Sequence, residues 1–370
     1  MTQDTASLPP PIRSALEHRK ARWESFEDLN YVRLTDSHLG YAKGTVQLAG
    51  RLIPGYPHIG RIFRLKPGLR QQFPGYFWAE EKMDGYNVRV ARVGDRVVAI
   101  TRGGYLCPFT SDRLPDLLDL TIFEQHPDLI PCAEIVGPDN PYSLGSPPYV
   151  ASDVQAFVID LLHPLDNRFL PVPEKLDLAD RFGLPLAPVL GRFQAHQWEQ
   201  VQALNGRLEQ DQREGLVLKA DEPIAHRTKF VTRHSGLYDI SVRSSDLVEL
   251  PGDFFTGRIL RLALGMDEEG LRPDAQLHQR LGEVLMDGLF RSIDGFKRDG
   301  RVAHRFRCRF RSRRNAEIFV GQLRDTLGHT HARQQRLEWE QGFWVLEFDK
   351  EVPKLTGLLH QLFRGEALVD

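Results

Sequence analysis

The stretch Glu81-Lys82-Met83-Asp84-Gly85-Tyr86-Asn87-Val88-Arg89 constrains this chain more than any other. On an extended strand, residues two apart share a face, so Lys82 and Asp84 are expected to point into one pocket. Gly85 lets the backbone turn, and Arg89 is expected to return on the following strand. Lysine, aspartate, glycine and arginine at these four fixed positions should coincide by chance only about a few times in a thousand chains of this length. The competing reading is a surface lysine beside a type I′ or II′ hairpin turn at Asp84-Gly85.

At 370 residues the chain suits two or three packed units. Apolar residues at 41% and charged residues at 26% are ordinary globular values, and no run approaches the ~20 apolar residues that a membrane span requires. The start, Met1 to Pro10, has neither the basic head nor the apolar stretch of a secretory signal, so the expected location is cytoplasmic. Cys107, Cys132 and Cys308 are odd in number and far apart, which predicts reduced structural thiols and neither a disulfide framework nor a zinc site.

The chain reads as α+β. The run Ile12 to Lys20 suits an amino-terminal helix, and Tyr41 to Leu65 alternates short apolar runs with Gly and Pro, as a small β element does. Apolar, β-branched runs at Phe77 to Glu81, Val88 to Val93, Val97 to Thr101, Cys132 to Val136, Val154 to Leu162 and Gly215 to Leu218 predict strands, with helices at Asp112 to Phe123 and Gln197 to Leu208. That order favours a largely antiparallel core over a Rossmann fold, and no G-x-G-x-x-G follows a strand. Residues 254 to 265 and 275 to 296 have helical spacing, with Leu260, Leu262, Leu264, Leu281, Val284, Leu285 and Leu289 as apolar faces. The end reads strand, helix, strand, strand, helix, a small α/β sandwich. Expected units are 1–70, 71–235, 236–300 and 301–370.

The formal net charge of −2 hides a cluster of arginines between 301 and 314 that contains no acid. Within it Arg305, Arg307, Arg309 and Arg311 alternate with apolar residues. On a strand they would recur every ~6.7 Å on one side, close enough to follow a nucleic-acid backbone. The alternative is a solvated sheet face paired with acids such as Glu338, Glu340 and Glu347.

Four segments follow Lys82 in order: Thr101-Arg102-Gly103-Gly104, Ala133-Glu134-Ile135-Val136-Gly137, Phe157-Val158-Ile159-Asp160, and Glu214-Gly215-Leu216-Val217-Leu218-Lys219 with Lys229 close behind. With the Lys82 motif they resemble the superfamily of ligases and capping enzymes that form a lysyl-nucleotide. Within it the chain is most similar to the archaeal-type ATP-dependent RNA ligases. The likeness covers residues 40 to 240 and beyond them is one of length and layout. It implies an antiparallel-sheet nucleotidyltransferase core of the ATP-grasp-like DNA/RNA ligase kind, and a homodimer.

A lysine attacks phosphorus only when unprotonated, and its free pKa is near ~10.4. Arg102, Lys219, Lys229 and a bound Mg²⁺ are therefore expected to depress Lys82. By resemblance, Lys82 takes AMP from ATP and Asp84 assists later steps. Arg89 and Glu134 contact the ribose, Arg102 a phosphate, and Lys219 and Lys229 the α-phosphate. Glu80 and Glu81 join the ATP site, Phe157 or Ile159 covers the adenine, and Glu214 binds Mg²⁺. The implied partner is single-stranded RNA with 5′-phosphate and 3′-hydroxyl ends, single-stranded DNA being a further candidate. The rivals are a DNA ligase or capping enzyme of the same superfamily, which would need an OB domain not seen here, and a nucleic-acid-binding protein that has lost turnover.

Overall fold

The computed structural model describes residues 8–145, 147–163, 168–223, 226–326 and 332–367. The first seven residues lie outside them, as does Leu327, the end of the helix that the sequence predicts from Ala316. Two five-stranded sheets form the centre. One has the order Arg168–Phe169, Gln155–His163, Ile130–Val136, Tyr86–Val93, Arg96–Thr101. The other runs Val189–Phe193, Phe77–Lys82, Gly215–Ala220, Arg227–Val231, Gly60–Arg61. All neighbours in both are antiparallel except Gly60–Arg61, which lies parallel to Arg227–Val231.

Strand alternation explains how the first of these sheets is covered. Val88 and Val90 face one way, into an apolar cluster with Phe109, Leu114, Phe310, Phe319 and Phe348. Ala91 and Val93 face the other way, against Tyr31, Val46 and Ile53. Those last three belong to an amino-terminal antiparallel sheet of Ala21–Phe26, Leu29–Leu34, Val46–Leu48 and Arg51–Ile53, preceded by the helix Pro10–Glu17. Period-2 patterning on a strand buried on both faces thus joins three layers.

Lys82 and Asp84 do not flank a hairpin. Phe77–Lys82 belongs to one central sheet and Tyr86–Val93 to the other, so Met83-Asp84-Gly85 is the crossover between them. Gly85 is dictated by close approach, since a Cβ there would lie 2.2 Å from the carbonyl oxygen of Ile135.

The helices expected at 254–265 and 275–296 are Asp253–Glu268 and Ala275–Asp299. The longer one starts with the Asp274 side chain accepting from Leu277 N at 2.8 Å and ends at Gly300 with φ +67°, as helix-capping chemistry requires. The carboxy-terminal sheet has the order Ala303–Phe310, Phe343–Glu351, Ala332–Glu340, with Arg313–Thr326 and Pro353–Phe363 as its helices. Its Gln341-Gly342 turn has φ +48° and +85°, the left-handed pair of a type I′ hairpin. It is an α/β sandwich and not an OB barrel. The helices Leu65–Gln72, Val172–Phe182 and Arg233–Arg243 and the strand Arg227–Val231 were not anticipated. Cys107, Cys132 and Cys308 are buried free thiols. No helix among the described residues is long and apolar enough to cross a membrane.

Arg89 departs from its expected place. Its side chain is fully buried and donates to the carbonyl oxygens of Pro54, Gly44 (2.9 Å) and Thr101 (2.8 Å). It therefore fastens the loop after the amino-terminal sheet to the central sheet and does not reach toward a ribose. Arg89 shares a strand face with Asn87, which lines the Lys82 cleft, but its guanidinium is committed to these carbonyls. Arg89→Met should lower unfolding free energy by about 3 kcal/mol, because three buried carbonyls lose their donor. Urea unfolding measures this, and a loss below about 1 kcal/mol would count against the clamp.

Candidate active site

Lys82 ends its strand in a cleft of about 570 Å³. The polar wall is Glu80, Asn87, Arg102, Glu134, Lys219 and Lys229, and the apolar wall is Tyr56, Ile59, Met83, Ile159 and Val217. Glu81 borders the same space and accepts from Arg213 at 3.1 Å. Most of the expected residues therefore converge. Asp84 and Glu214 line an adjoining cavity with Tyr149 and Arg213, and the charge of Asp84 still reaches Lys82. Lys82 bridges the two spaces, its Nζ 2.6 Å from Glu214 Oε2.

Gly215 sets that bridge. Its φ is +145°, and a Cβ would lie 2.3 Å from Phe230 O, so only glycine fits opposite Lys82 at the start of this strand, with Glu214 immediately before it.

The electrostatics of Lys82 run against the expected depression. Burial pulls its pKa down, but Glu214, Glu134 and Asp84 outweigh burial and hold it above the ordinary lysine value. Lys82 is thus stored as an ammonium. Burial pushes Glu134 and Asp84 each up to about 7, Glu214 adding to the rise in both. Lys229 is pulled down to about 8 by burial, then by Arg61 and Lys82.

Lys219 is not free to approach a phosphate in this arrangement. Its Nζ meets Glu80 Oε2 at 2.7 Å, Ile159 O at 2.6 Å and Asp160 Oδ1 at 3.0 Å. Glu80 also holds Lys175 at 2.7 Å, and Asp160 holds Arg227 at 2.8 Å and accepts from Tyr56 Oη at 2.6 Å. Burial alone would raise Asp160, but Arg227, Lys219 and Lys175 keep it well below the usual carboxylate range. Glu80 is accordingly tied up beneath the cleft.

The strand Gln155–His163 shifts register between Val158 and Asp160, so Phe157 and Ile159 do not play equal parts. Ile159 lines the cleft, while Phe157 packs beside Tyr149, their ring centroids 6.3 Å apart. Val217 and Tyr56 were overlooked. Val217 could have been found two residues before Lys219 on the same strand face, whereas nothing local marks Tyr56 or the buried Lys175.

The arginine row is a correction. Arg307 and Arg309 both pair with Asp139, at 3.0 and 2.7 Å, and Arg305 pairs with Asp349 at 2.9 Å. Arg311 pairs with Asp116. Of the acids weighed for the alternative reading, Glu340 pairs with Arg307 at 3.5 Å, and Glu347 stands opposite Arg307 and adds its charge near Arg305. Asp139 and Asp116 come from the central part of the chain, so the row joins layers and does not present an unpaired face to phosphates.

A lysine cleft between two antiparallel sheets, followed by an α/β sandwich, defines a nucleotidyltransferase-type ligase. The RNA ligase family model matches residues 75–233, and that of the ligase Pab1020 C-terminal region matches 244–366. A solved candidate ATP-dependent DNA ligase from Aquifex aeolicus is 42% identical, with a TM-score of 0.93 over 97% of this chain and 99% of that one. Two structures of an archaeal ATP-dependent RNA ligase are 26% identical, with TM-scores of 0.85 and 0.86 over 96% of both chains. An uncharacterised Methanocaldococcus jannaschii protein is 26% identical across 85% of this chain and 82% of its own length. This chain belongs to the RNA ligase family and is a ligase enzyme.

Burial raises the folded pKa of Glu134 to about 7, above the ~4.3 of a free glutamate. Its contribution to stability is therefore full below the unfolded value and lost as pH rises through about 7. Glu134→Gln should flatten the fall in melting temperature between about pH 5 and pH 8. Calorimetry at both values checks this, and an unchanged fall would show that Glu134 titrates normally.

Proposed function

We propose that this enzyme seals a 5′-phosphate to a 3′-hydroxyl of single-stranded RNA, with Lys82 as the carrier of AMP from ATP. The observation that supports this most is the position of Lys82 between two chemically different spaces. One has Lys229 and Arg102 beside an apolar wall, and the other has Asp84 and Glu214. The first suits a nucleotide and its phosphate, and the second suits an incoming end.

In the first step Lys82 gives up its protons to water, its nitrogen bonds to the α-phosphorus, and the bond to the β-phosphate oxygen breaks. Pyrophosphate leaves with the electron pair. AMP then passes to the RNA 5′-phosphate, and attack by a 3′-hydroxyl releases it. All three steps are phosphoryl transfers, in which positioning and electrostatics do most of the work. Lys229 and Arg102 would stabilise charge on the α-phosphate. Ile159 and Val217 are the apolar pair best placed to cover adenine, with Tyr56 closing the base of the cleft.

Oxygen donors around Lys82 suit Mg²⁺, which takes one or two carboxylates and completes its shell with phosphate and water. Glu214 would hold it, with Asp84 in the same cavity. Bound there, the ion would neutralise phosphate charge. It would also occupy the carboxylate that keeps Lys82 protonated.

The RNA reading is favoured over DNA by the carboxy-terminal sandwich, which stands where a duplex-clamping barrel would be needed. A homodimer is supported by Leu260, Met286 and Phe290, which are 54%, 50% and 56% exposed on the two long helices. Such side chains on neighbouring helices are costly to leave in water. Light scattering should give twice the 42.3 kDa chain mass, and Met286→Glu with Phe290→Glu should halve it. A wild-type mass of one chain would sink the dimer.

Protein incubated with α-labelled ATP and Mg²⁺ should retain label after denaturation and release it with pyrophosphate, and Lys82→Ala should retain none. Lys229→Met should slow labelling about a hundredfold. Offering 5′-phosphorylated RNA and DNA to the labelled enzyme then decides between nucleic acids. Label on the Lys82→Ala protein would end the assignment.

A further inference from the structure

The edge strand Gly60–Arg61 places Arg61 opposite Lys229. Residues opposite one another in a sheet share a face, and the register carries that face from Arg61 through Lys229 and Val217 to Glu80. Arg61 therefore extends the cationic wall of the Lys82 cleft. The helix Asp253–Glu268 supplies Arg258 and Arg261, which line a narrow cleft with Ile62, Phe230 and Thr232 at this same edge. Of the acids in that cleft, Glu209 and Glu269 pair with Arg233, and Glu268 accepts from the backbone N–H groups of Leu65 and Lys66.

Arg261 is only 9% exposed, and its Nε and Nη2 are buried without a hydrogen-bond partner among the described residues. The Nε of Arg61 is in the same condition. Two carboxylates lie within electrostatic reach of both, Glu214 and Asp239. Glu214 pairs with Lys82 at 2.6 Å and Asp239 with Arg258 at 2.7 Å. Burial pulls Arg261 down to about 10, and Arg61 and Arg258 add to the fall.

Buried guanidinium donors without a partner, two on the buried Arg261 and one on the half-buried Arg61, are unfavourable by themselves. A bound anion would complete them, and the planar fork of arginine matches phosphate oxygens. We propose that Arg61 and Arg261, next to Lys229, form the seat of the β- and γ-phosphates of ATP and so of the pyrophosphate leaving group. This rests on the reading of Lys82 as the AMP carrier. As the bond from Lys82 Nζ to the α-phosphorus forms and that from α-phosphorus to the bridging oxygen breaks, the departing oxygen gains charge, and the two guanidinium groups meet it.

The test uses the full chain with Arg61→Met and Arg261→Met. Titration of inorganic pyrophosphate with Mg²⁺ by calorimetry should show affinity at least about tenfold weaker in each. Labelling of Lys82 by ATP should slow by a similar factor. Sealing of chemically pre-adenylylated RNA, which involves no pyrophosphate, should stay within about twofold of wild type. Thermal melting separates this from a structural role, because removing an uncompensated buried charge should leave Arg261→Met as stable as wild type or more so. Should that variant fail to fold, Arg61→Met carries the test.

Unchanged pyrophosphate affinity in both variants would overturn the proposal, and so would loss of pre-adenylylated sealing in step with pyrophosphate binding, which would assign these arginines to the RNA path. Weakened pyrophosphate binding in both supports the seat even if wild type takes no label on Lys82. The labelling assay would then have failed the ligase reading alone.

Discussion

The cleft depends on a buried ion cluster that fastens two sheets beneath it. Glu80 and Lys219 belong to the sheet of Lys82, while Ile159 and Asp160 belong to the other. Lys219 reaches acceptors on both, and Lys175 and Arg227 complete the set. Such a cluster adds little net stability, because each charge must first be stripped of water, yet removing one member typically costs about 3–5 kcal/mol by stranding the rest. Its value lies in fixing the distance between the sheets, and with it the width available to a nucleotide.

Above that floor the site holds opposite charges apart. Glu134, Asp84 and Glu214 surround Lys82 and keep it protonated, while Lys229, Arg102, Arg61 and Arg261 face the region where phosphates would lie. On the proposed function, the unliganded enzyme holds its nucleophile as an ammonium, beside the partnerless donors of Arg61 and Arg261. Binding of a polyanion with a divalent cation would relieve both conditions together, coupling substrate occupancy to nucleophile activation.

The antiparallel core, the long helices and the closing sandwich were all legible in the sequence, because strand alternation and helical spacing recur over many residues. Lys82, Glu134, Glu214 and Lys229 were legible because short motifs fix their local backbone. What escaped depends on distant pairing. That Arg89 would be spent on the carbonyls of Gly44, Pro54 and Thr101 follows from sheet assignment. That the arginine row would find Asp139 and Asp116 follows from the docking of a layer nearly two hundred residues away in sequence. The register shift at Ile159 likewise broke the equivalence of Phe157 and Ile159 that simple alternation implies.

The apolar cluster shared by the central and carboxy-terminal sheets carries a further consequence. Phe310, Phe319 and Phe348 sit in one core with Val88 and Val90, on the strand that also bears Asn87. Swinging the sandwich outward would tear that core open, so this ligase has no jaw to shut around a duplex. On the proposed function, two loose RNA termini would meet on a surface of fixed shape, and their meeting would be a matter of local concentration and chain entropy.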